Sequence, residues 1–323
     1  MADSEILISI EHLKQWFTVS TGLWSKETVK AVDDVSLNIY RGETFGLVGE
    51  SGCGKSTLGR TLVKLHEPTA GRIIMKGKDI TRLYGDELKS FRKSVQLIFQ
   101  DPYASLNPRM TVGEIVREPM VIHNLYASRK EQDDKVIELL SLVGLRPDHI
   151  RRYPHEFSGG QRQRIAIART LALGPEFIVC DEPISALDVS IQAQIINLLK
   201  KIQSELGLTY LFIAHDLGMV RYISDRIGVM YLGQIVELGS SEELYRMPLH
   251  PYTRALVSAA LIPDPDAAKE KQRIRLHGEI PSAIAHPSGC PFRPRCPYAA
   301  PRCAEESPRL RAAGGHLVAC HKV

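Results

Sequence analysis

The chain has 323 residues, 44% of them hydrophobic and 24% charged, which suits one large domain or a domain with an extension. Its formal net charge of +4 is slight and its lysines and arginines are scattered, so charge does not argue for nucleic acid or an anionic membrane surface. No apolar stretch approaches the ~18 residues of a membrane-spanning helix. The N-terminal "MADSEILISI" lacks the pattern of a secretory signal, and we expect a cytoplasmic protein that binds no nucleic acid.

Short apolar runs predict buried strands in an α/β fold. The runs are "FGLVG" (45–49), "FIVC" (177–180) and "TYLFIAHD" (209–216), and a helical pattern, "SIQAQIINLLKKIQSEL" (190–206), precedes the last of them. Strands that alternate with helices predict a parallel sheet covered on both faces. In such sheets ligands bind at the carboxyl ends of the strands, where each run gives way to glycine or acidic residues.

Two further regions differ from this alternation. Residues 91–173 have a mostly helical pattern, which predicts an inserted helical subdomain. After about residue 250 the sequence becomes proline-rich, with few long apolar runs. We therefore divide the chain into a core of residues 1–249 and a C-terminal extension of residues 250–323.

The first strand runs into a phosphate-binding motif. "GESGCGKST" (49–57) satisfies G-x-x-x-x-G-K-[ST] between a strand and a helix. Its glycines allow backbone N–H groups to surround phosphates, Lys55 reaches the β and γ oxygens, and the Ser56 hydroxyl is placed to bind Mg²⁺. The predicted nucleotide contacts are Gly49, Ser51, Gly52, Cys53, Gly54, Lys55, Ser56 and Thr57.

Two carboxylates follow the second strand. In "FIVCDE" (177–182), Asp181 is predicted to hold Mg²⁺ from its second shell, and Glu182 to polarise an attacking water. Paired acids at a strand end are often only a solvated turn. The phosphate-binding motif favours the catalytic interpretation.

A second anion-binding helix start lies in "FSGGQRQRIAIARTLAL" (157–173). Ser158, Gly159 and Gly160 directly precede a strongly periodic helix, and Gln161 follows them. One nucleotide does not need two such sites from the same subunit. The segment is therefore predicted to contact the γ-phosphate of a nucleotide held by another subunit, rather than to form a plain helix cap.

Taken in order, these motifs resemble those of the ATPase subunits of ABC transporters, whose signature motif is "SGGQ". In "LIFQDP", Gln100 is similar to that family's Q-loop glutamine. Asp188 in "SALD" is similar to the D-loop aspartate, and His215 in "IAHD" to the switch histidine. Phe17 lies where the family stacks an aromatic ring on adenine, with Trp24 as the alternative.

The resemblance covers roughly residues 6–247 and implies a P-loop NTPase core of the ABC type. It implies ATP and Mg²⁺ as cofactors. Catalysis is then expected from Glu182, His215 and Gln100, with Gln100 also near the Mg²⁺. Asp188 and residues 158–161 would contact nucleotide as well.

The extension resembles that of oligopeptide and dipeptide importer ATPases in "HPYTRALVSA" (250–259) and "GEIPS" (278–282). Peptide is therefore the expected cargo, with nickel, glutathione or a saccharide as alternatives. The resemblance implies a second, different ATPase subunit, two membrane-spanning permease subunits and an extracytoplasmic substrate-binding protein. It also implies a peripheral location on the cytoplasmic face of the plasma membrane.

Two other classes of ABC protein are considered. ATPases of DNA repair carry long coiled-coil insertions and those of translation carry two fused cores, and neither feature occurs in this sequence. Exporters normally fuse a membrane domain to the ATPase, and none is fused here. These features favour an importer subunit.

Four of the six cysteines crowd the last 34 positions, which favours metal binding over disulfides in a reducing compartment. They are Cys290, Cys296, Cys303 and Cys320. Because no C-x₂₋₄-C pair occurs, the spacing favours an iron–sulfur cluster of the four-iron type over zinc. Nearby His316 and His321 keep a mixed Cys–His zinc site as the alternative, and free thiols remain possible as well. The expected role is structural, because the extension has little apolar surface to bury.

Overall fold

A computed structural model describes residues 5–20, 26–259 and 274–323. The chain forms two compact units. The first unit joins Met1–Arg82 to Phe212–Val323, and the second is Leu83–Leu211. The phosphate-binding motif and the extension thus belong to the first unit, whereas Gln100 and the segment 158–161 belong to the second.

Within the described residues the predicted strands are confirmed and further strands appear. In chain order the strands are β1 Ile6–Ser20, β2 Lys26–Tyr40, β3 Thr44–Val48, β4 Ala70–Met75, β5 Lys78–Asp79, β6 Val95–Ile98, β7 Phe177–Asp181, β8 Thr209–Ala214, β9 Arg226–Tyr231, β10 Gln234–Ser240, β11 Arg311–Ala313 and β12 His316–Val318.

The helices are concentrated in the second unit. In chain order they are α1 Lys55–Leu62, α2 Gly85–Ser94, α3 Pro102–Ser105, α4 Val112–Ile122, α5 Arg129–Leu142, α6 Gly159–Leu171, α7 Val189–Leu206, α8 Leu217–Ile223, α9 Ser241–Arg246 and α10 Pro251–Ala259. A final short helix spans Arg302–Glu305, and 3-10 turns lie at Pro147–Arg151, Pro154–Glu156 and Arg293–Arg295. No helix in the described ranges is both long and apolar enough to cross a bilayer.

The strands of the first unit form two separate sets. Strands β2, β1, β4 and β5 form an antiparallel sheet in that order, which the sequence analysis did not predict. A second set has the order β11-β12-β10-β9-β3, in which only β3 and β9 pair in parallel. All five residues of β3 are buried, as the apolar run predicts. The phosphate-binding loop therefore follows directly from β3, a fully buried strand of the first unit.

The two parallel strands of the second unit flank most of its helical part in the chain. Strands β6 and β7 pair in parallel with Ile98 opposite Cys180, so their carboxyl ends lie at the same edge. Residues from Pro102 to Leu171 are mainly helical, as the pattern predicts. Helix α7 ends at Gly207, whose φ of 65° is the left-handed conformation that closes many helices.

The extension is anchored to the first unit by a buried carboxylate. Glu237 of β10 has 0% exposure and accepts hydrogen bonds from the backbone amides of Leu249 and His250, at 2.8 and 2.9 Å. Its other contact is Nδ1 of His316, also at 2.8 Å. Since a buried carboxylate needs such partners, these bonds hold the start and the end of the extension against β10.

Candidate functional site

The phosphate-binding loop, residues 49–57, is built from backbone geometry that requires glycine. Gly54 caps helix α1 with φ 106°, and a Cβ there would lie 1.9 Å from the backbone oxygen of Ala31. Lys55 is 4% exposed, and its Nζ donates to the carbonyls of Gly49 and Glu50 at 2.8 and 2.9 Å. The loop therefore presents a helix N-terminus beside a buried cation, which suits phosphate.

The remaining loop positions differ in exposure. Ser51 and Gly52 are exposed, while Ser56 and Thr57 are partly exposed in the first turn of α1. The Cys53 side chain is buried, and burial raises the pKa of its thiol although Lys55 acts in the opposite direction. Cys53 therefore stays a neutral thiol that fills space in the loop.

The two acids after β7 have distinct environments. Asp181 ends the strand with 1% exposure. Glu182 follows with φ 46°, a conformation that is uncommon for residues other than glycine and is concentrated at functional positions. The turn thus holds Asp181 inside the second unit and turns Glu182 toward the surface, where it is partly exposed.

Gln100 and Glu182 are brought together, although they are 82 residues apart. The Gln100 side-chain amide donates to Oε2 of Glu182 at 2.9 Å. Gln100 follows β6 and Glu182 follows β7, and these strands are parallel neighbours. The two side chains therefore lie at the carboxyl edge of the parallel strands, where α/β proteins bind ligands and place catalytic groups.

The segment 158–161 starts helix α6 with a reciprocal cap. Ser158 Oγ accepts from the amide of Gln161 at 3.4 Å, and Gln161 Oε1 accepts from the amide of Ser158 at 3.1 Å. A Cβ on Gly160 would lie 2.5 Å from Cγ2 of Ile191 in the first turn of α7. Gly160 is therefore needed for close packing, whereas Ser158 is exposed.

Three other predicted positions differ in exposure. His215 follows β8 and is exposed, and Asp188 precedes α7 without capping it through its side chain. Phe17, in β1, is half-buried and meets the ring of His66 edge-on, with centroids 5.3 Å apart. Its outer part remains accessible, as an adenine-stacking ring requires. Trp24 lies outside the described residues.

The four cysteines of the extension do not confirm the predicted cluster. Among the described residues, no three His, Cys, Asp or Glu side chains are arranged to hold a metal ion. Burial raises the pKa of Cys290 to about 11 and also raises that of Cys296. In the metal-free protein these thiols are therefore neutral, and metal binding would have to displace their protons.

Sequence reasoning missed the residues that hold the phosphate-binding loop from the extension. Tyr252 has 0% exposure, and its hydroxyl accepts from the backbone amide of Glu50 at 2.8 Å. Arg295 donates to both carboxylate oxygens of Glu50, at 2.6 and 3.0 Å. No local sequence pattern relates either residue to Glu50.

Sequence comparison with known proteins identifies the family. The chain is 54% identical over 324 residues to the oligopeptide transport ATP-binding protein AppF of Bacillus subtilis, covering 99% of this chain and 98% of that protein. It is 53% identical to the oligopeptide transport ATP-binding protein OppF of Salmonella typhimurium, covering 100% and 95%. The chain belongs to the ATP-binding subunits of ABC transporters.

Family profiles and solved structures also assign the chain to the ABC ATPases. A profile described as "ABC transporter" matches residues 32–185, and one described as "Oligopeptide/dipeptide transporter, C-terminal region" matches residues 236–303. The dimeric structure of MJ0796, a bacterial ABC transporter cassette, is 30% identical with a TM-score of 0.65, covering 73% of this chain and 99% of that one. The predicted P-loop NTPase fold and ATPase activity are confirmed.

Proposed function

We propose that this ABC ATPase energises the import of dipeptides or oligopeptides. The AppF and OppF relatives are oligopeptide transport ATP-binding proteins, and the profile matched at residues 236–303 belongs to that transporter class. This full-length similarity, which includes the extension, is the observation that carries the proposal. Nickel, glutathione and saccharide remain the alternative cargoes.

ATP hydrolysis is assigned to the phosphate-binding loop and to the acids that follow β7. Lys55 and the loop amides bind the phosphates, and the buried cation and helix start support that role. Mg²⁺ would neutralise phosphate charge when bound, with the hydroxyl of Ser56 as an oxygen ligand, the carboxylate of Asp181 holding the ion from its second shell and Gln100 also near it. Asp181 lies at the carboxyl end of a buried strand with 1% exposure, where α/β folds bind ligands.

Glu182 is the proposed general base. Its strained backbone and its hydrogen bond to Gln100 fix its carboxylate at the edge formed by β6 and β7. An ionised carboxylate can accept a proton from an attacking water within hydrogen-bond reach. Gln100 orients that carboxylate, and His215, which resembles the family's switch histidine, is the third proposed catalytic residue.

The proposed working form is a sandwich of two ATPase subunits. Residues 158–161 and Asp188 of one subunit contact the nucleotide held by its partner. The exposure of Ser158 and the α6 helix start support this assignment, and the related cassette MJ0796 has been solved as a dimer. We expect a different ATPase subunit as the partner, two membrane-spanning permeases, and delivery of cargo by an extracytoplasmic binding protein. No nucleic acid takes part.

These partners place the ABC ATPase peripherally on the cytoplasmic face of the membrane. Residues 1–249 form the ATPase domain, with a helical subdomain at about residues 91–173, and residues 250–323 form the extension. The start of α10 at Pro251 supports the boundary between them. The profile of the extension begins earlier, at residue 236, within β10.

Uptake in cells tests the cargo. Cells that depend on this protein for one import system are supplied with a labelled tripeptide, nickel, glutathione or a saccharide. Glu182→Gln should reduce tripeptide uptake by at least ~10-fold, equivalent to ~1.4 kcal/mol in the limiting step. Glu205→Gln, at a half-exposed glutamate of α7, is the matched control. Loss of uptake of another cargo, with normal tripeptide uptake, would reassign the transporter.

A metal centre in the extension remains a separate proposal. Backbone amides of Phe292 and Tyr298 bond the sulfurs of Cys290 and Cys296, and the amide of Lys322 donates to Cys320 Sγ at 3.4 Å. Amide-to-sulfur bonds of this kind tune iron–sulfur ligands.

The test of the metal centre is anaerobic purification. About four irons per chain and a brown colour are expected for a four-iron cluster. Stoichiometric zinc would select the alternative, and metal-free protein would leave the cysteines as thiols. Either result leaves the ATPase assignment unchanged.

A further inference from the structure

Glu50 is the point at which the extension meets the phosphate-binding loop. All of its polar groups are engaged within the first unit. Its amide donates to the Tyr252 hydroxyl at 2.8 Å, and its carbonyl accepts from Lys55 Nζ at 2.9 Å. Its carboxylate accepts both bonds of the Arg295 guanidinium, at 2.6 and 3.0 Å. Two of the three bonding partners, Tyr252 and Arg295, lie more than 200 positions from Glu50 in the sequence.

Arg295 is held in a buried setting rather than resting on the surface. Its side chain is 7% exposed and lies over the ring of Tyr231, 5.9 Å from the centroid. Phe292, three residues earlier, is 1% exposed and packs edge-on against Tyr231 and at a tilt against Tyr252, with centroids 5.2 and 5.5 Å away. An arginine fork locked by aromatic packing loses little freedom when it binds a carboxylate.

The charge of Glu50 makes this contact relevant to nucleotide. A carboxylate inside a phosphate-binding loop repels phosphate oxygens unless a cation compensates it. A bidentate arginine neutralises the carboxylate and also fixes its direction. Pairing with Glu50 raises the pKa of Arg295, so the compensating charge persists at every physiological pH.

We infer that Arg295 is a positioning residue for ATP binding, acting from the extension through Glu50. It holds the loop in the conformation in which the backbone amides can receive phosphate. It also removes a negative charge that would oppose the nucleotide. The extension is thus part of the nucleotide site, beyond its proposed relation to cargo class or metal.

Nucleotide affinity of the full-length chain tests the inference. Arg295→Gln should raise the Kd for MgATP about 10-fold. In the assembled transporter the KM for ATP should rise similarly, while kcat at saturating ATP falls less than about threefold. The matched control is Arg302→Gln, which breaks an exposed ion pair with Glu306 in the same extension and should change the Kd less than about twofold.

Two companion variants separate positioning from folding. Arg295→Lys keeps the charge but loses the fork, and should raise the Kd about threefold. Combining Arg295→Gln with Glu50→Gln removes the uncompensated carboxylate and should recover at least about threefold of the lost affinity. If Arg295→Gln does not fold, the Arg295→Lys result decides. A lower melting temperature with unchanged MgATP affinity in the Arg295 variants would overturn the inference.

Discussion

The phosphate-binding loop and the segment 158–161 are both glycine-rich helix starts, but they are supported differently. The loop is fixed from a distance, since Tyr252 and Arg295 bond Glu50 across 202 and 245 residues. The segment 158–161 is fixed by its own neighbours, since Ser158 and Gln161 are three residues apart. The same sequence feature therefore has long-range support in one unit and local support in the other.

The glycines of the two regions also serve different purposes. Gly54 has φ 106°, and its missing Cβ leaves room for the backbone oxygen of Ala31. Gly160 has no positive φ, and its missing Cβ leaves room for the Ile191 side chain. A backbone obstacle cannot move, whereas a side chain can be shortened. This difference determines which substitutions can be rescued.

The largest expected effect is at the loop. Gly54→Ala combines a left-handed backbone with overlap of main-chain atoms, so MgATP affinity should fall by roughly 100-fold, or ~2.7 kcal/mol. The matched control is Gly239→Ala in β10, whose Cβ would lie 3.3 Å from His316 Cγ without a positive φ. That control should change affinity by less than about twofold. Equilibrium titration of the full chain with MgATP measures both, and equal losses would remove the distinction.

A smaller effect is expected from overpacking at Gly160. Gly160→Ala should destabilise the protein by about 1–3 kcal/mol, because its Cβ would lie 2.5 Å from Ile191 Cγ2. Adding Ile191→Ala opens that space and should restore at least about half of the loss. Urea unfolding of both variants, with Ile191→Ala alone as the control, provides the comparison. Failure of the second substitution to restore stability would mean that Gly160 is needed for its backbone, as at Gly54.

Features that depend on interactions between residues close in sequence could be predicted, whereas those that depend on distant residues could not. Local patterns were sufficient for β3, the phosphate-binding loop and α6, because apolar runs and glycine spacing act over a few residues. The antiparallel pairing of β1 with β2 was missed, since its register shifts several times and its residues mix polar with apolar. The Arg295–Glu50 pair was missed because no sequence rule relates charges 245 residues apart.

Low pH should destabilise the contacts between the extension and the phosphate-binding loop before it affects the local cap at residues 158–161. His250 packs against Phe292, and burial lowers its pKa to about 3. The folded state keeps this imidazole neutral, whereas the unfolded chain protonates it below its ordinary pKa of ~6.5. Stability from this residue is therefore present above pH ~6.5 and declines as the pH falls, by about 1.3 kcal/mol between pH 7 and 5.5.

An asparagine substitution isolates that contribution. His250 Nδ1 accepts from the amide of Tyr252 at 3.1 Å, and the Oδ1 of His250→Asn can accept the same bond without titrating. The variant should lose about 1.3 kcal/mol less than the natural protein over that pH range in urea unfolding. His155→Asn, at an exposed histidine of the second unit, is the matched control. Parallel pH dependence of the natural protein and His250→Asn would exclude His250 as the cause.

The central claim is that the phosphate-binding loop binds the nucleotide and Glu182 activates the water that attacks it. The most direct measurement combines MgATP binding and turnover of Glu182→Gln in the assembled transporter. Binding should stay within about twofold of the natural protein, because the loop is intact, while turnover falls by at least ~100-fold. Turnover at the natural rate, with the partner subunit's own site inactivated, would contradict the account.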